Sequence, residues 1–552
     1  MRRLYLLVLV FVAFVSNATA QTYNMKLEKK DGTVITIPAD EVKQVTFVEA
    51  GQDPNPTIID NEEEIMARFA RCYRNFSAYS VSGGDVMQDE YQSDFVRQLF
   101  NLNELPTDEV LCGWGDQGFA SLCYGTFDAT NPFIQYLFSK LYTGIAICNA
   151  YLDIASDYNQ TMTAEVRFLR ALNYFYLLDG WGNVPIVTSA FVLDMPAQST
   201  RQELYTFVEA ELLAAESSLD NPQYRNAYDE KYGRVDKAAA WLLLSRLYLN
   251  AEVYTGTSQW QKAANYAEMV INSSYQLYTY SQNGWTAYQQ LFMGDNGQNG
   301  ASSEAIFPIL FDSTIYPTYS GTTFLTACCF DDDVVVREEW VGNGTTQLWA
   351  GYRARPTLIQ AFFPNNNAPN VHVYEMASSA GDDRALFDGF GRNLHTEIFT
   401  DFKNGFAIGK FHNFYVTGMG YTPQFSDADF FLFRSAEAYL NYAEATARQN
   451  GGTATTQGKS YLNLLRTRAH ASTLSTYSLD DILSEWSREF YLEGRRRMDL
   501  IRFGRFGGSS SYTWEWKGGS YNGTSFPAYR NLFPIPASEL AMNPNMVQNP
   551  GY

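Results

Sequence analysis

The sequence predicts a mainly α-helical protein, in which a scaffold of helical pairs is interrupted by a long loop-rich insertion and preceded by a small β module. Apolar residues recur three to four positions apart on both sides of the insertion, which is the pattern of helices with one buried face. This periodicity lapses between about residues 273 and 425. Near the N-terminus apolar and polar residues alternate instead, which is typical of strands.

The first 20 residues have the pattern of a secretory signal peptide. Arg2 and Arg3 give a positive N-terminal region, residues 4–15 are apolar, and the small residues 18–20 form a cleavage site. The apolar stretch is too short to span a membrane. We therefore expect an exported chain that begins at Gln21.

The β module is predicted in residues 21–50. Asp31-Gly32 is a hairpin signal between the alternating segments 25–28 and 34–37. The composition of residues 51–57 is that of a linker.

The scaffold is predicted from helix starts and from repeated alanines that allow close helix packing. Asn131-Pro132 predicts a helix start, since proline fits the first helical position. The other expected starts are capped by Thr200 with Glu203, by Asp236 and by Ser258. The unit length is roughly that of a divergent tetratricopeptide repeat, which indicates a helical solenoid.

The C-terminal part begins with returning helices and ends in a proline-rich tail. Residues 488–506 have the pattern of one amphipathic helix, and we expect Arg495, Arg496 and Arg497 to pair with nearby acids on that helix. The predicted boundaries are residues 57–272 for the first helical region, 273–425 for the insertion, and 426–552 for the C-terminal helices and tail.

Composition excludes some functions and favours another. A net charge of −20 argues against nucleic acid as a partner. The four histidines show no metal-ligand spacing, and no nucleophile motif or phosphate loop is present, so catalysis is not expected. Aromatic residues make up 16% of the chain, which suits carbohydrate or peptide contact as well as a large core. The six cysteines allow a Cys112–Cys123 bridge, but we favour buried free thiols.

Candidate ligand-binding residues are aromatic side chains in loops with polar neighbours, because sugar rings stack on flat aromatic faces while polar groups bind their hydroxyls. Trp114 lies between two glycines, with Asp116 and Gln117 beside it. The insertion supplies the remaining candidates: Trp285, Tyr288, Tyr316, Tyr319 and Trp340. For Trp114, and similarly for Trp285 and Tyr288, a place in the core under a loop is an equally good interpretation.

No cofactor is expected, and one pair of carboxylates is a candidate for structural Ca²⁺. Asp427 and Asp429 precede a predicted helix, where they could cap its N-terminus or bind the ion through oxygen. Capping is the favoured interpretation. The run of Asp331, Asp332 and Asp333 is interpreted as a solvated acidic loop.

Several segments, taken in order, resemble the SusD/RagB family of outer-membrane nutrient-binding proteins. They are AEVRFLRALNYFYLLDGWGNVPIV (residues 164–187), REFYLEGRRRMDLIRFGRF (residues 488–506) and the tail LFPIPASELAMNPNMVQNPGY (residues 532–552). The resemblance covers nearly all of the chain after about residue 57. It implies a SusD-like fold of four tetratricopeptide-like helical pairs with a loop-rich region.

The resemblance also implies a function. Such a protein is exposed at the outer-membrane surface, forms a lid on a SusC-like TonB-dependent transporter, and delivers oligosaccharides, or peptides in some members. The family pattern of a tryptophan and a polar residue after a T-D-E stretch falls on Trp114 and Gln117, after residues 107–109. The family's Ca²⁺-binding D-x-D pattern falls on Asp427 and Asp429.

The chain departs from the family in its anchor. Family members usually carry a lipidated cysteine after the signal peptide, whereas the first cysteine outside the signal here is Cys72. We therefore hypothesise that the hairpin module or the transporter interface replaces the lipid anchor. The alternatives to glycan capture are peptide binding within the same family, a ligand-free helical-repeat surface scaffold, and a glycosidase.

Overall fold

A computed structural model describes residues 24–28, 34–38, 61–77, 94–192, 194–315, 317–419, 424–508 and 511–552. The predicted signal segment and Tyr316 lie outside the described residues. The chain divides into two units, residues 1–60 and 61–552. In the first unit, β1 (Asn24–Glu28) pairs antiparallel with β2 (Val34–Pro38), with Met25 opposite Ile37. This pairing is the β-hairpin that the alternating pattern predicts.

The second unit is built mainly of helices. The helices before the insertion are α1 (Glu62–Ser77), α2 (Phe95–Glu104), α3 (Phe119–Tyr124), α4 (Pro132–Ala155), α5 (Gln160–Gly180), α6 (Arg201–Glu216), α7 (Lys237–Leu249), α8 (Ala251–Thr255) and α9 (Trp260–Ile271). Those within it are α10 (Ala287–Gln290), α11 (Gly321–Cys328), α12 (Pro356–Phe362) and α13 (Val373–Ala380). Those after it are α14 (Ala436–Gln449), α15 (Thr456–Arg468), α16 (Leu479–Phe490), α17 (Arg496–Arg502) and α18 (Ala537–Met542).

Successive helices pack side by side, as a solenoid requires. The chain of neighbours runs α4, α5, α6, α7 and α9, and then continues directly to α14, which packs on α15 and α16. Buried alanines such as Ala263 and Ala267 on α9 and Ala443 on α14 allow this close approach. Because α9 packs on α14, the insertion leaves the scaffold between two neighbouring helices. The predicted fold class is confirmed, while the exact domain boundaries stay a prediction.

Local capping signals predict helix starts well, with one exception. The Asn131 side chain accepts from the Phe133 N–H (3.0 Å), Thr200 and Glu203 form a complete capping box, and Asp236 accepts from the Ala238 N–H (2.9 Å). The prediction for Ser258 is wrong, because α9 starts at Trp260 after Gln259 and no side chain caps it.

The helix predicted over residues 488–506 is also wrong, since the structure breaks it in two. Helix α16 ends at Phe490 and α17 starts at Arg496. Between them Leu492 and Gly494 have φ values of +64° and +72°, which lie outside the helical region. The freed N–H of Gly494 donates to Glu104 Oε1 (2.7 Å).

Strand β3 (Val110–Cys112) precedes α3, and the insertion contains further short strands as well as helices. They are β4 (Ala305–Ile309), β5 (Val335–Arg337), β6 (Trp340–Val341), β7 (Tyr352–Ala354), β8 (Phe387–Asp388), β9 (Ala407–Ile408), β10 (Phe414–Tyr415) and β11 (Gly418–Met419). Strand β4 pairs antiparallel with β12 (Phe430–Arg434), which directly precedes α14. The insertion is thereby joined to the scaffold by a sheet.

A buried ionic network fastens the insertion more firmly. Glu489 on α16 pairs with Arg434 (2.7 Å), Arg384 (3.1 Å) and Arg468, and all four side chains are fully buried. Arg434 also pairs with Glu304 of the insertion (2.9 Å). Glu489, the first glutamate of the E-F-Y-L-E-G motif, thus joins the C-terminal helices to the insertion directly through Arg384 and indirectly to Glu304 through Arg434 and Arg468.

The arginine run of the same motif pairs with acids, but the prediction of partners on the helix is right only for Arg495, which lies 3.1 Å from Asp499 of α17. The partners of Arg496 and Arg497 come from distant segments. Arg496 binds Asp108 with two parallel hydrogen bonds of 2.7 and 2.8 Å, and Arg497 pairs with Asp179 (3.2 Å).

All six cysteines are buried free thiols, as favoured. No helix within the described ranges combines the length and apolar composition that a membrane crossing requires.

Candidate functional site

Trp114 is held at the end of a short sheet. Strand β3 (Val110–Cys112) pairs antiparallel with β7, with Cys112 opposite Tyr352. The Trp114 indole N–H donates to the carbonyl O of Ala350 (2.8 Å). A Cβ on Gly351 would overlap the Trp114 indole, so this position requires glycine. The ring is half-buried and fixed in orientation.

Trp114 belongs to a group of partly exposed rings drawn from four separate segments. Its ring centroid lies 6.5 Å from that of Trp349, and the Trp349 centroid lies 6.1 Å from that of Tyr319. Tyr319 also contacts Phe425 (5.0 Å). Tyr319 is 39% exposed, and the other three rings are half-buried. We call Trp114, Trp349, Tyr319 and Phe425 the primary aromatic group.

Polar side chains hold these rings by their edges. The Trp349 indole N–H donates to Gln347 Oε1 (3.0 Å), and Gln424 Nε2 donates to the Tyr319 hydroxyl (2.8 Å). Asp116 and Gln117 are exposed in the loop that follows Trp114. The group therefore combines oriented aromatic surface with hydrogen-bonding groups at its margin.

The T-D-E stretch before Trp114 lies inside the protein. Thr107, Asp108 and Glu109 are buried, and Asp108 is the residue that Arg496 binds. Burial raises the pKa of Glu109 to about 7, although the nearby Arg496 charge opposes the shift. This stretch therefore anchors the Trp114 loop to the C-terminal motif.

Two other candidates are buried. Trp285 is 1% exposed and Tyr288 is fully buried, with its hydroxyl donating to the carbonyl O of Glu489 (2.6 Å). A ring that is covered on both faces cannot stack on a ligand. For these two residues the core interpretation is correct.

Trp340 belongs to a different cluster. It is half-buried, with its ring centroid 5.4 Å from that of Trp285 and 4.8 Å from that of Phe414. Arg337 lies over both tryptophan rings. Of the described candidates, Trp114 and Tyr319 thus belong to one ring group, with Asp116 and Gln117 in the loop after Trp114, whereas Trp285, Tyr288 and Trp340 contact other rings.

Trp349 is the main residue of the group that the sequence pattern does not single out. It lies in the insertion among other aromatic residues, and nothing local distinguishes it from Trp340. Its place beside Trp114 depends on the pairing of β3 with β7, which joins segments far apart in the chain.

Asp427 and Asp429 do not cap a helix, because β12 lies between them and α14. Asp427 accepts from the Ser313 N–H and the Tyr415 hydroxyl, both at 2.8 Å. Asp429 accepts from the Phe311 N–H (3.0 Å) and the Tyr232 hydroxyl (2.8 Å). Burial raises the pKa of Asp429 to about 7. The four hydrogen bonds account for both carboxylates, and Ca²⁺ binding at this pair stays a prediction.

The acidic run of the insertion pairs with a lysine. Lys403 Nζ lies 2.9 Å from Asp331 and 2.6 Å from Asp333, and Asp332 is exposed. These contacts agree with the interpretation of a solvated acidic loop.

Comparison with known proteins defines the class. A model of the SusD family matches residues 391–552, and a model described as starch-binding and associating with the outer membrane matches residues 52–249. The starch-binding protein SusD of Bacteroides thetaiotaomicron is 38% identical over 504 residues, which cover 84% of this chain and 87% of that protein. The chain belongs to the SusD family, whose members are non-catalytic binding proteins associated with the outer membrane.

Solved structures share the fold at lower identity. A laminarin-binding SusD-like protein superposes with a TM-score of 0.63 at 22% identity, covering 89% of this chain and 100% of that one. A SusD-like protein from Bacteroides fragilis gives a TM-score of 0.66 at 19% identity, covering 90% and 98%.

Proposed function

We propose that this protein captures oligosaccharides at the primary aromatic group and delivers them to a partner TonB-dependent outer-membrane transporter. The observation that carries the proposal is the convergence of Trp114, Trp349 and Tyr319, from three distant segments, into one partly exposed group. Apolar C–H faces of sugar rings stack on such surfaces. Gln117 and Asp116 at the margin are placed to bind hydroxyl groups.

The contacts around the rings favour binding without rearrangement. Both indole N–H groups already have acceptors within the protein, Ala350 O and Gln347 Oε1. The rings therefore keep their orientation before a ligand arrives, which reduces the entropy lost on binding. Binding then consists of stacking and of hydrogen bonds to hydroxyl groups, with no covalent bond made or broken. We expect modest affinity.

An α-linked glucan of the starch type is the first ligand to test. The relative that is 38% identical is named a starch-binding protein. A neighbour of the same fold is named for laminarin, a different glucan, so the fold accommodates more than one linkage. The transporter partner is supported by the family's association with the outer membrane.

Calorimetry with two matched variants tests the binding site. Trp349 and Trp340 are both half-buried tryptophans of the insertion, but Trp349 alone of the two lies in the primary aromatic group. We expect Trp349→Ala to weaken binding of maltoheptaose at least about tenfold, the loss of one stacking contact. Trp340→Ala should leave the affinity unchanged.

The panel should also contain laminarin oligosaccharides and extended peptides, each mixture being assayed for cleavage. Peptide binding without glycan binding would reject glycan capture in favour of peptide uptake.

Co-purification from outer membranes tests the transporter partner. We expect a TonB-dependent transporter to be recovered with the tagged chain, and its repeated absence would contradict delivery to a transporter.

A further inference from the structure

A second group of partly exposed rings lies outside the site described above. Trp516 stacks on Tyr124 with a centroid distance of 5.7 Å and an interplanar angle of 27°. Phe399 and Tyr521 meet the Trp516 ring edge-on, at 5.5 and 5.7 Å. All four rings are half-buried. We call Tyr124, Phe399, Trp516 and Tyr521 the second aromatic group.

Hydrogen bonds hold this group in place. The Trp516 indole N–H donates to the carbonyl O of Thr396 (2.7 Å). The carboxylate of Glu515 accepts from the Thr396 N–H (2.8 Å) and from the Tyr521 hydroxyl (3.1 Å), and it lies 2.7 Å from His395 Nδ1. One carboxylate thus connects the loop that carries Phe399 to the loop that carries Trp516.

The backbone of Trp516 is strained. Its φ is +69°, in the left-handed region that tryptophan rarely adopts. Strain of this kind costs stability, and it persists where the surroundings enforce it, often at ligand-binding positions. Ala350, whose carbonyl orients Trp114, also has a positive φ, of +43°. Both aromatic groups therefore have a strained residue at or beside a tryptophan.

The two groups are neighbours. Gly113 directly precedes Trp114, and a Cβ on Gly113 would lie only 2.7 Å from the carbonyl O of Phe399. The backbone that carries Trp114 therefore touches the backbone that carries Phe399. The loop that carries Trp114 and Gln117 leads into α3, which ends at Tyr124, a member of the second aromatic group.

We infer that the second aromatic group is an additional contact site for the same glycan chain. This inference rests on the proposed function and extends it, because it predicts a preference for chain length. A short oligosaccharide occupies the primary group alone, whereas a longer chain reaches the rings around Trp516. Exposed polar side chains near these rings, Glu397, Thr400 and Asn522, are placed to meet hydroxyl groups.

Removing one ring tests the inference without straining the backbone. Trp516→Gly is the preferred variant, because glycine adopts a φ of +69° freely. The probes are maltotriose and maltoheptaose, with laminarin oligosaccharides of the same two lengths as a second series. We expect the wild type to bind the longer chain of one series about tenfold more tightly, and Trp516→Gly to remove most of that advantage while binding the short chain as before.

Controls separate the possible failures. Tyr521→Ala should act in the same direction, and Trp241→Ala, which removes a half-buried tryptophan of the helical scaffold, should change neither affinity. Thermal unfolding checks that each variant is folded. The second site would be overturned if the wild type bound short and long chains equally well. It would also be overturned if folded Trp516→Gly and Tyr521→Ala kept the preference for the longer chain. Either result would leave the proposal for the primary aromatic group unaffected. Failure of the wild type to bind either series would overturn both.

Discussion

Removing the charge of Glu489 is the sharpest test of how the insertion is held on the scaffold. The carboxylate is fully buried and pairs with Arg434, Arg468 and Arg384. Glu489→Gln keeps the size of the side chain but leaves three buried guanidinium groups without this counter-charge. Arg434 retains Glu304, so the network is weakened and not abolished.

The expected cost is large compared with that of a surface ion pair. Removing one partner of an isolated buried ion pair typically costs about 3–5 kcal/mol. The cost here lies toward the lower end, because Arg434 and Arg468 keep Glu304 and Arg384 keeps Glu485. Folded proteins are stable by only about 5–15 kcal/mol. Glu489→Gln should therefore remove a substantial part of the unfolding free energy of the 61–552 unit.

The assay is denaturant unfolding followed by fluorescence, with Glu64→Gln as the matched control. Glu64 pairs with Arg68 on α1, and its side chain is 47% exposed. An exposed pair of this kind contributes about 1 kcal/mol or less. If Glu489→Gln costs no more than Glu64→Gln, the network is not what holds the insertion.

The pH dependence of the unfolding free energy gives a second test of the Glu489→Gln variant. Burial alone would raise the pKa of Glu489, but the charges of Arg468, Arg434 and Arg384 hold it well below its usual value. A glutamate in an unfolded chain has a pKa of about 4.3. The stabilisation by Glu489 is therefore complete well above that pKa and is lost as the pH falls through and below it. The stability difference between wild type and Glu489→Gln should shrink as the medium is acidified from about pH 6 to pH 3.

Two further changes test the neighbourhood of the site. Gly351→Ala should displace the Trp114 indole, which lowers the unfolding free energy by about 1–3 kcal/mol through overpacking and weakens glycan binding. Gly115→Ala is the control in unfolding measurements, because a Cβ at Gly115 meets nothing within 4 Å. Equal stability of the two variants would argue against the close approach of Gly351 to the Trp114 ring. Asp429→Asn should gain stability relative to the wild type as the pH rises from about 4 to 7. Burial raises the pKa of Asp429 to about 7, so over this range the folded protein holds a proton that the unfolded chain has released. A stability difference between the two proteins that stays constant over that range would contradict the raised pKa.

Much of the scaffold could be predicted from sequence because its signals are local. The caps at Asn131, Thr200 and Asp236 depend on residues within one turn of the helix start. The division of residues 488–506 into two helices depends instead on Glu104, which accepts the freed N–H groups and lies far away in the chain. No local pattern carries that information.

The site illustrates the same limit. Trp114 between glycines is a local signal, and the structure does place it half-exposed in a loop. Trp285 has a similar local setting, yet it is buried among Trp340, His412 and Phe414, which come from other segments. Trp349 could not be selected because its position follows from a strand pairing across the insertion.

Calorimetric titration of maltoheptaose into the chain without its predicted signal segment, compared with Trp114→Ala, tests the central claim most directly. Trp114 is the ring that connects the loop after β3 to Trp349. We predict that the wild type binds without cleaving the glycan and that Trp114→Ala weakens binding by about 1–3 kcal/mol, the cost of losing a buried aromatic contact. Unchanged affinity in a folded Trp114→Ala protein would place the ligand elsewhere and contradict the proposed site.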